Sequence, residues 1–124
     1  MQDEPTPTEL IKAVADFLRN EIAPHIKGHN AFKLRVGINA LDLVTRQLTL
    51  AGTSDAAETE RLKLLLESDG PLFDLNRALS EKIAKGEVAL TTPGLAEHLW
   101  QTTMDKLAVD QPNYASYKRE LGAK

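Results

Sequence analysis

The 124-residue sequence contains no cysteine, so disulfides, thiolate metal sites and cysteine nucleophiles are excluded. It has no excess of basic charge. Fifteen Lys and Arg stand against eighteen Asp and Glu, a net charge of −3, without the basic footprint that nucleic acid or an anionic membrane surface requires. No apolar run approaches the roughly 18 residues of a membrane span. Met1-Gln2-Asp3-Glu4 is acidic where a signal peptide would be basic. The expectation is a cytoplasmic protein with no membrane and no nucleic-acid partner. Catalytic signatures are missing as well: there is no GxSxG, P-loop, GxGxxG, HExxH or ExxH spacing, and Glu97 and His98 are adjacent rather than three apart. The length suits one domain, 1–124, and is too short for an enzyme with separate cofactor and substrate domains. These absences point to a non-enzyme that needs no cofactor and no metal.

What is present is helical punctuation. Thr6-Pro7-Thr8-Glu9 combines a capping hydroxyl, a proline at the first helical position and a glutamate three residues after the cap. Leu10, Val14, Phe17, Leu18 and Ile22 then follow at helical spacing as an inward face, until Pro24 bends or ends the helix and Gly28 closes the segment. A second helix is expected from about Ala31 to Leu50, stopped by Gly52. A third runs from about Asp55 to Glu67, capped by Ser54-Asp55, and a fourth carries Leu72, Leu75, Leu79 and Ile83 to Gly86. Thr92-Pro93 starts a fifth, with Leu95, Leu99, Trp100, Thr103 and Leu107 inward. A short tail helix carries Tyr114, Tyr117 and Leu121. Val88-Ala89-Leu90 reads as a packed connection rather than a strand. Short connections make neighbouring helices antiparallel, so the expected fold is all-α, an up-and-down bundle of about five helices plus the C-terminal one.

The second helix is apolar on two sides. Phe32, Val36, Leu43 and Leu50 fall in one sector, and Leu34, Ile38, Leu41, Val44 and Leu48 in another roughly opposite, which predicts a central helix. Between them runs a polar stripe of Arg35, Asn39, Asp42 and Arg46. Guanidinium forks suit carboxylates and phosphates, so the stripe is a candidate anion-binding cleft. The favoured reading is internal pairing, in which Arg35 with Asp42, Asp42 with Arg46, and Asn39 with a neighbouring helix end satisfy the stripe. Asn76 of the Asn76-Arg77 pair falls toward an inner face and can join Asn39 in a network or line a pocket. His25 and His29 share a metal-like spacing, but Pro24 and Gly28 end the helix that would hold it, so both read as exposed. Glu58, Glu60, Arg61 and Lys63 read as the dressing of an exposed helix face. The corner from Asp110 to Tyr114 reads as structural, its polar groups also suiting a docking site.

Blocks spread along the chain resemble a bacterial domain family of unknown function. They are Gln2-Asp3-Glu4-Pro5-Thr6 with Glu9-Leu10, the run from Val14 to Arg19, and Phe32 to Leu48 with its Arg35-Val36, Asn39-Ala40-Leu41 and Arg46-Gln47-Leu48. Leu75-Asn76-Arg77-Ala78-Leu79 and the run from Lys106 to Tyr114 complete them. Gly37 stands where that family more usually has alanine. The resemblance implies small accessory domains found beside aminoglycoside-phosphotransferase-like and acyl-CoA-dehydrogenase-like proteins, and it supplies no catalytic residues to carry over. The expected function is therefore a non-catalytic accessory or interaction module acting with such a protein partner. Its candidate contacts are Trp100, Tyr114, Tyr117 and Leu121, and a homo-oligomer is left open. The alternative is a binding domain for a small carboxylate, phosphate or acyl-CoA, with Arg35, Asn39, Asp42, Arg46 and Asn76 beside the second helix.

Overall fold

The computed structural model describes residues 4–122; residues 1–3 and 123–124, including Gln2 and Asp3 of the acidic opening, lie outside them. Among the described residues there are five α-helices and no strand, so the fold is all-α. They are α1 (Pro7–Phe17), α2 (His29–Leu66), α3 (Leu72–Ala84), α4 (Leu95–Asp110) and α5 (Ala115–Gly122). No helix among the described residues is long and apolar enough to cross a membrane. The chain divides into two compact units, Met1–Ala51 and Gly52–Lys124, and the division falls inside α2.

α1 opens as its sequence dictates. The Thr6 hydroxyl accepts from the Glu9 N–H at 3.2 Å, and the Glu9 carboxylate accepts from the Thr6 N–H at 3.3 Å, with Pro7 in the first turn. Pro24 does not stop the helical path at once. It has no N–H and its ring crowds the carbonyl four residues back, and the chain meets this with a widened π turn at Leu18–Ile22 and a 3-10 turn at Ala23–His25.

The expected second and third helices are one. α2 runs 38 residues through Gly52, Thr53, Ser54 and Asp55. A lone glycine costs a helix about 1 kcal/mol and does not break it. Hydroxyls on either side of the expected Ser54-Asp55 cap bond back within the helix: Thr49 donates to the Thr45 carbonyl at 2.7 Å and Thr59 to the Asp55 carbonyl at 2.7 Å.

In the first unit Arg19 donates to Asp42 across only a three-residue connection at 26–28, so α1 and the first part of α2 form a hairpin. Its buried residues are Ala15 and Ile38, with Ile11, Leu18, Ile22, Leu34 and Leu41 half-buried. Leu10, Val14 and Phe17, expected inward, are exposed, and so are Phe32, Val36, Leu43 and Leu50 on the other sector of α2. Both expectations are corrected for the same reason: hydrophobic spacing marks a face that needs cover, and here one helix neighbour covers one side only.

The second unit has a conventional core. Leu62, Leu75, Leu79 and Leu95 form a buried cluster with Leu66, Leu72 and Val88 packed against it. Each fully buried leucine stabilises by about 2–3 kcal/mol. Val88 lies in the packed connection that the sequence suggested. Ile83, expected in register with Leu75 and Leu79, is exposed. α4 begins two residues later than expected. The Thr92 hydroxyl is engaged in its own loop, accepting from the Ala89 N–H at 3.0 Å, and Gly94 becomes the cap at φ +88. A Cβ at Gly94 would meet Leu65 Cδ2 at 3.3 Å, so both its backbone and its contact favour glycine.

Candidate functional site

The inward face of α4 differs in phase from the expected one. Leu95, His98 and Val109 are buried, whereas Leu99 and Trp100 are exposed. A histidine holds an inner position because α2 brings Arg61 to it. One turn inside α4, the His98 N–H donates to the Gly94 carbonyl at 3.0 Å, which fixes the residue at the start of the helix. Its side chain is 2% exposed. Arg61 Nε donates to His98 Nδ1 at 3.0 Å, and Arg61 Nη2 donates to Thr102 Oγ1 at 3.2 Å. His98 and Thr102 are four apart on α4 and so present one face to a single guanidinium.

This bond pattern fixes the imidazole. A nitrogen that accepts from a guanidinium N–H carries no proton, so the neutral ring bears its proton on Nε2. Burial first, and the adjacent Arg61 charge second, hold His98 below the ordinary imidazole value of 6.5, with the Glu58 carboxylate opposing them. Glu58 accepts from Asn76 Nδ2 at 2.8 Å, tying α3 into the same corner. Glu58 and Arg61 are thus half-buried constituents of the second unit rather than dressing of an exposed face. Their positions, each four residues before Leu62 and Leu65 respectively, were the available signal: Glu58, Arg61, Leu62 and Leu65 share one helical stripe.

Two clefts flank Arg61. One, of about 390 Å³, is lined by Arg61, Leu64, Leu65, Glu67, Pro93, Glu97 and His98. The other, of about 480 Å³, is lined by Arg61, Ser54, Ala57, Gln101, Glu97 and Asp105. Arg61 forms no ion pair among the described residues; its two bonds go to neutral acceptors. A third cleft, of about 390 Å³, lies where α5 meets α4 and includes Trp100, Met104, Tyr117 and Leu121.

The residues singled out from the sequence are distributed as follows. Arg35 and Asn39 are exposed, with no side-chain partner among the described residues. Asp42 is half-buried and bonded to Arg19, which also reaches Asp16 at 3.0 Å. Arg46 is half-buried. Asn76 is half-buried on Glu58, not joined to Asn39. None of these five lines the clefts just described. Trp100, Tyr114 and Leu121 are about half exposed, while Tyr117 is buried and anchors α5 to its own chain. His25 and His29 are exposed, and no group of three or more metal-ligating side chains occurs among the described residues.

No curated protein and no solved structure matches the chain. Residues 24–114, from the proline that widens the first helical path to the tyrosine that precedes α5, match a family described as a domain of unknown function, DUF6285, and the chain belongs to that family.

Proposed function

We propose that the chain is a non-catalytic helical interaction module, acting with a phosphotransferase-like or acyl-CoA-dehydrogenase-like protein partner. One observation carries the reading: the hairpin of the first unit leaves large apolar side chains of both helices exposed. Arg19 and Asp42 pin one edge of the hairpin. At 100° per residue, Leu10, Val14 and Phe17 of α1 fall on the other edge, and Val44 and Leu48 of α2 fall beside them. All five are exposed, between 40% and 54%. A soluble monomer rarely leaves a contiguous apolar patch of this kind uncovered, and apolar patches with polar rims are characteristic of protein contact sites. Trp100, Tyr114 and Leu121 in the second unit add aromatic and aliphatic anchors of the type enriched at interfaces. The partner's class follows from the family resemblance of the sequence blocks.

The test mixes the purified chain with a phosphotransferase-like or an acyl-CoA-dehydrogenase-like protein from the same genome and measures mass by light scattering after gel filtration. A stoichiometric complex is expected with at least one of them, lost in a Val14→Glu/Leu48→Glu double variant that keeps the wild-type circular dichroism. Binding to neither protein, or binding unchanged by the double variant, overturns the reading.

A further inference from the structure

We propose that the cleft between the end of α2 and the start of α4 is a binding site for a small uncharged carbonyl compound, an aliphatic amide or its chemical equivalent, which accepts a hydrogen bond from His98 Nε2. This site is separate from the hairpin face and stands independently of the partner reading. His98 is almost wholly enclosed, yet only one of its two ring nitrogens is engaged: Nδ1 accepts from Arg61, and no protein group among the described residues meets Nε2. No sealed side-chain nitrogen or oxygen among the described residues lacks a partner. Nε2 therefore opens onto the cleft that the ring lines. A fixed N–H donor at the wall of a pocket that also offers aliphatic surface recognises an acceptor oxygen.

The remaining lining selects the rest of the ligand. Leu64, Leu65 and Pro93 offer an aliphatic surface, and Leu64 is 81% exposed until something covers it. The volume, about 390 Å³, lies in the range that takes a small molecule. Charge decides between a neutral carbonyl and a carboxylate. Arg61 alone would favour an anion, but two of its N–H groups are committed to His98 and Thr102, and the carboxylates of Glu67 and Glu97 share the cleft. Two negative groups against one positive disfavour an anionic ligand. The Nε2–H tautomer also makes His98 a hydrogen-bond donor rather than a base, so the site binds and orients a carbonyl without abstracting a proton.

The experiment titrates the isotope-labelled full chain with pentanamide, pentanoate and pentylammonium to about 50 mM, the range of weak small-molecule affinity. It follows the His98 ring nitrogens and the backbone amides of Leu64, Leu65 and Gly94 by NMR. Pentanamide is expected to shift His98 Nε2 and the three amides saturably. Pentanoate binds at least about tenfold more weakly, and pentylammonium, which has no acceptor, leaves Nε2 unmoved. His98→Asn keeps an acceptor for Arg61, but its shorter amide places no N–H at the position of Nε2, so it should retain the fold and weaken pentanamide by about tenfold, the loss of one hydrogen bond. No saturable shift with pentanamide, equal affinity for pentanoate, or unchanged affinity in His98→Asn overturns the proposal.

Discussion

In the second unit Leu62 and Leu95 are sealed, Leu75 and Leu79 nearly so, and even the polar corner of Arg61, His98 and Thr102 is internally bonded. Among the described residues of the first unit only Ala15 and Ile38 are buried, while nine large apolar side chains from Leu10 to Leu50 are exposed. The two stretches of sequence look alike in hydrophobic spacing. They differ in how many neighbours each helix has. Three helical segments around Leu62 enclose a core, whereas two helices in a hairpin have one shared seam and two open flanks. Burial, not composition, separates a core from an exposed apolar face.

Substitutions at the two centres put this difference on an energy scale. Leu62→Ala should cost about 3–4 kcal/mol, because a fully enclosed leucine leaves a cavity as well as losing transfer energy. Ile38→Ala should cost less, about 2 kcal/mol, since a thin hairpin can close on the gap. Urea unfolding at both positions checks the order; equal losses would mean that the hairpin is as well enclosed as the core. Gly94→Ala should cost about 1–2 kcal/mol, from its left-handed backbone and its approach to Leu65, and leave the first unit's hydrogen-exchange rates untouched. Glu67 works in the opposite direction. It ends α2 at φ +51, with the Ser68 N–H donating to the Lys63 carbonyl at 3.3 Å, a geometry that suits glycine. Glu67→Gly should therefore stabilise by about 1 kcal/mol, read as a higher urea midpoint.

The polar corner gives the second unit a pH signature carried by a buried histidine, whereas the shifted groups of the hairpin are Asp16 and Arg19. His98 is held below 6.5 in the folded chain, so the unfolded chain binds the proton more readily. Stability from this residue is full above pH 6.5 and declines as the pH falls below that value toward the lowered folded one. His98→Asn should flatten that acid limb of the stability profile while leaving the neutral plateau in place. An identical acid limb in the variant would assign the loss to other groups. The smallest effect belongs to the open face: Leu48→Lys should change stability by less than about 0.5 kcal/mol, because the side chain is already half in water.

Much of the fold was legible. The capping box at Thr6, the break near Pro24 and the inward Leu75 and Leu79 all follow from local chemistry that tertiary contacts did not override. The Gly52-Thr53-Ser54 boundary did not, because a lone glycine beside a capping residue type is compatible both with a helix end and with an unbroken helix. The candidate site was less legible. Arg35, Asn39, Asp42 and Arg46 form a stripe that can be read along one helix. The Arg61–His98 bond joins residues 37 apart, and nothing in local spacing pairs them. His98 also displaced the inferred face of α4, since a bonded histidine occupies an inner position that hydrophobicity assigns to Leu99.

The most direct test of the account is hydrogen–deuterium exchange on the full chain, free and mixed with the phosphotransferase-like or acyl-CoA-dehydrogenase-like protein. In the free chain, amides around Leu62, Leu75, Leu79 and Leu95 should exchange slowest. On mixing, residues 10–17 and 41–50 should gain protection while the Leu62 core stays unchanged. Equal protection of both units in the free chain, with no change in 10–17 and 41–50 on mixing, would contradict the claim that the first unit is an interface awaiting its cover.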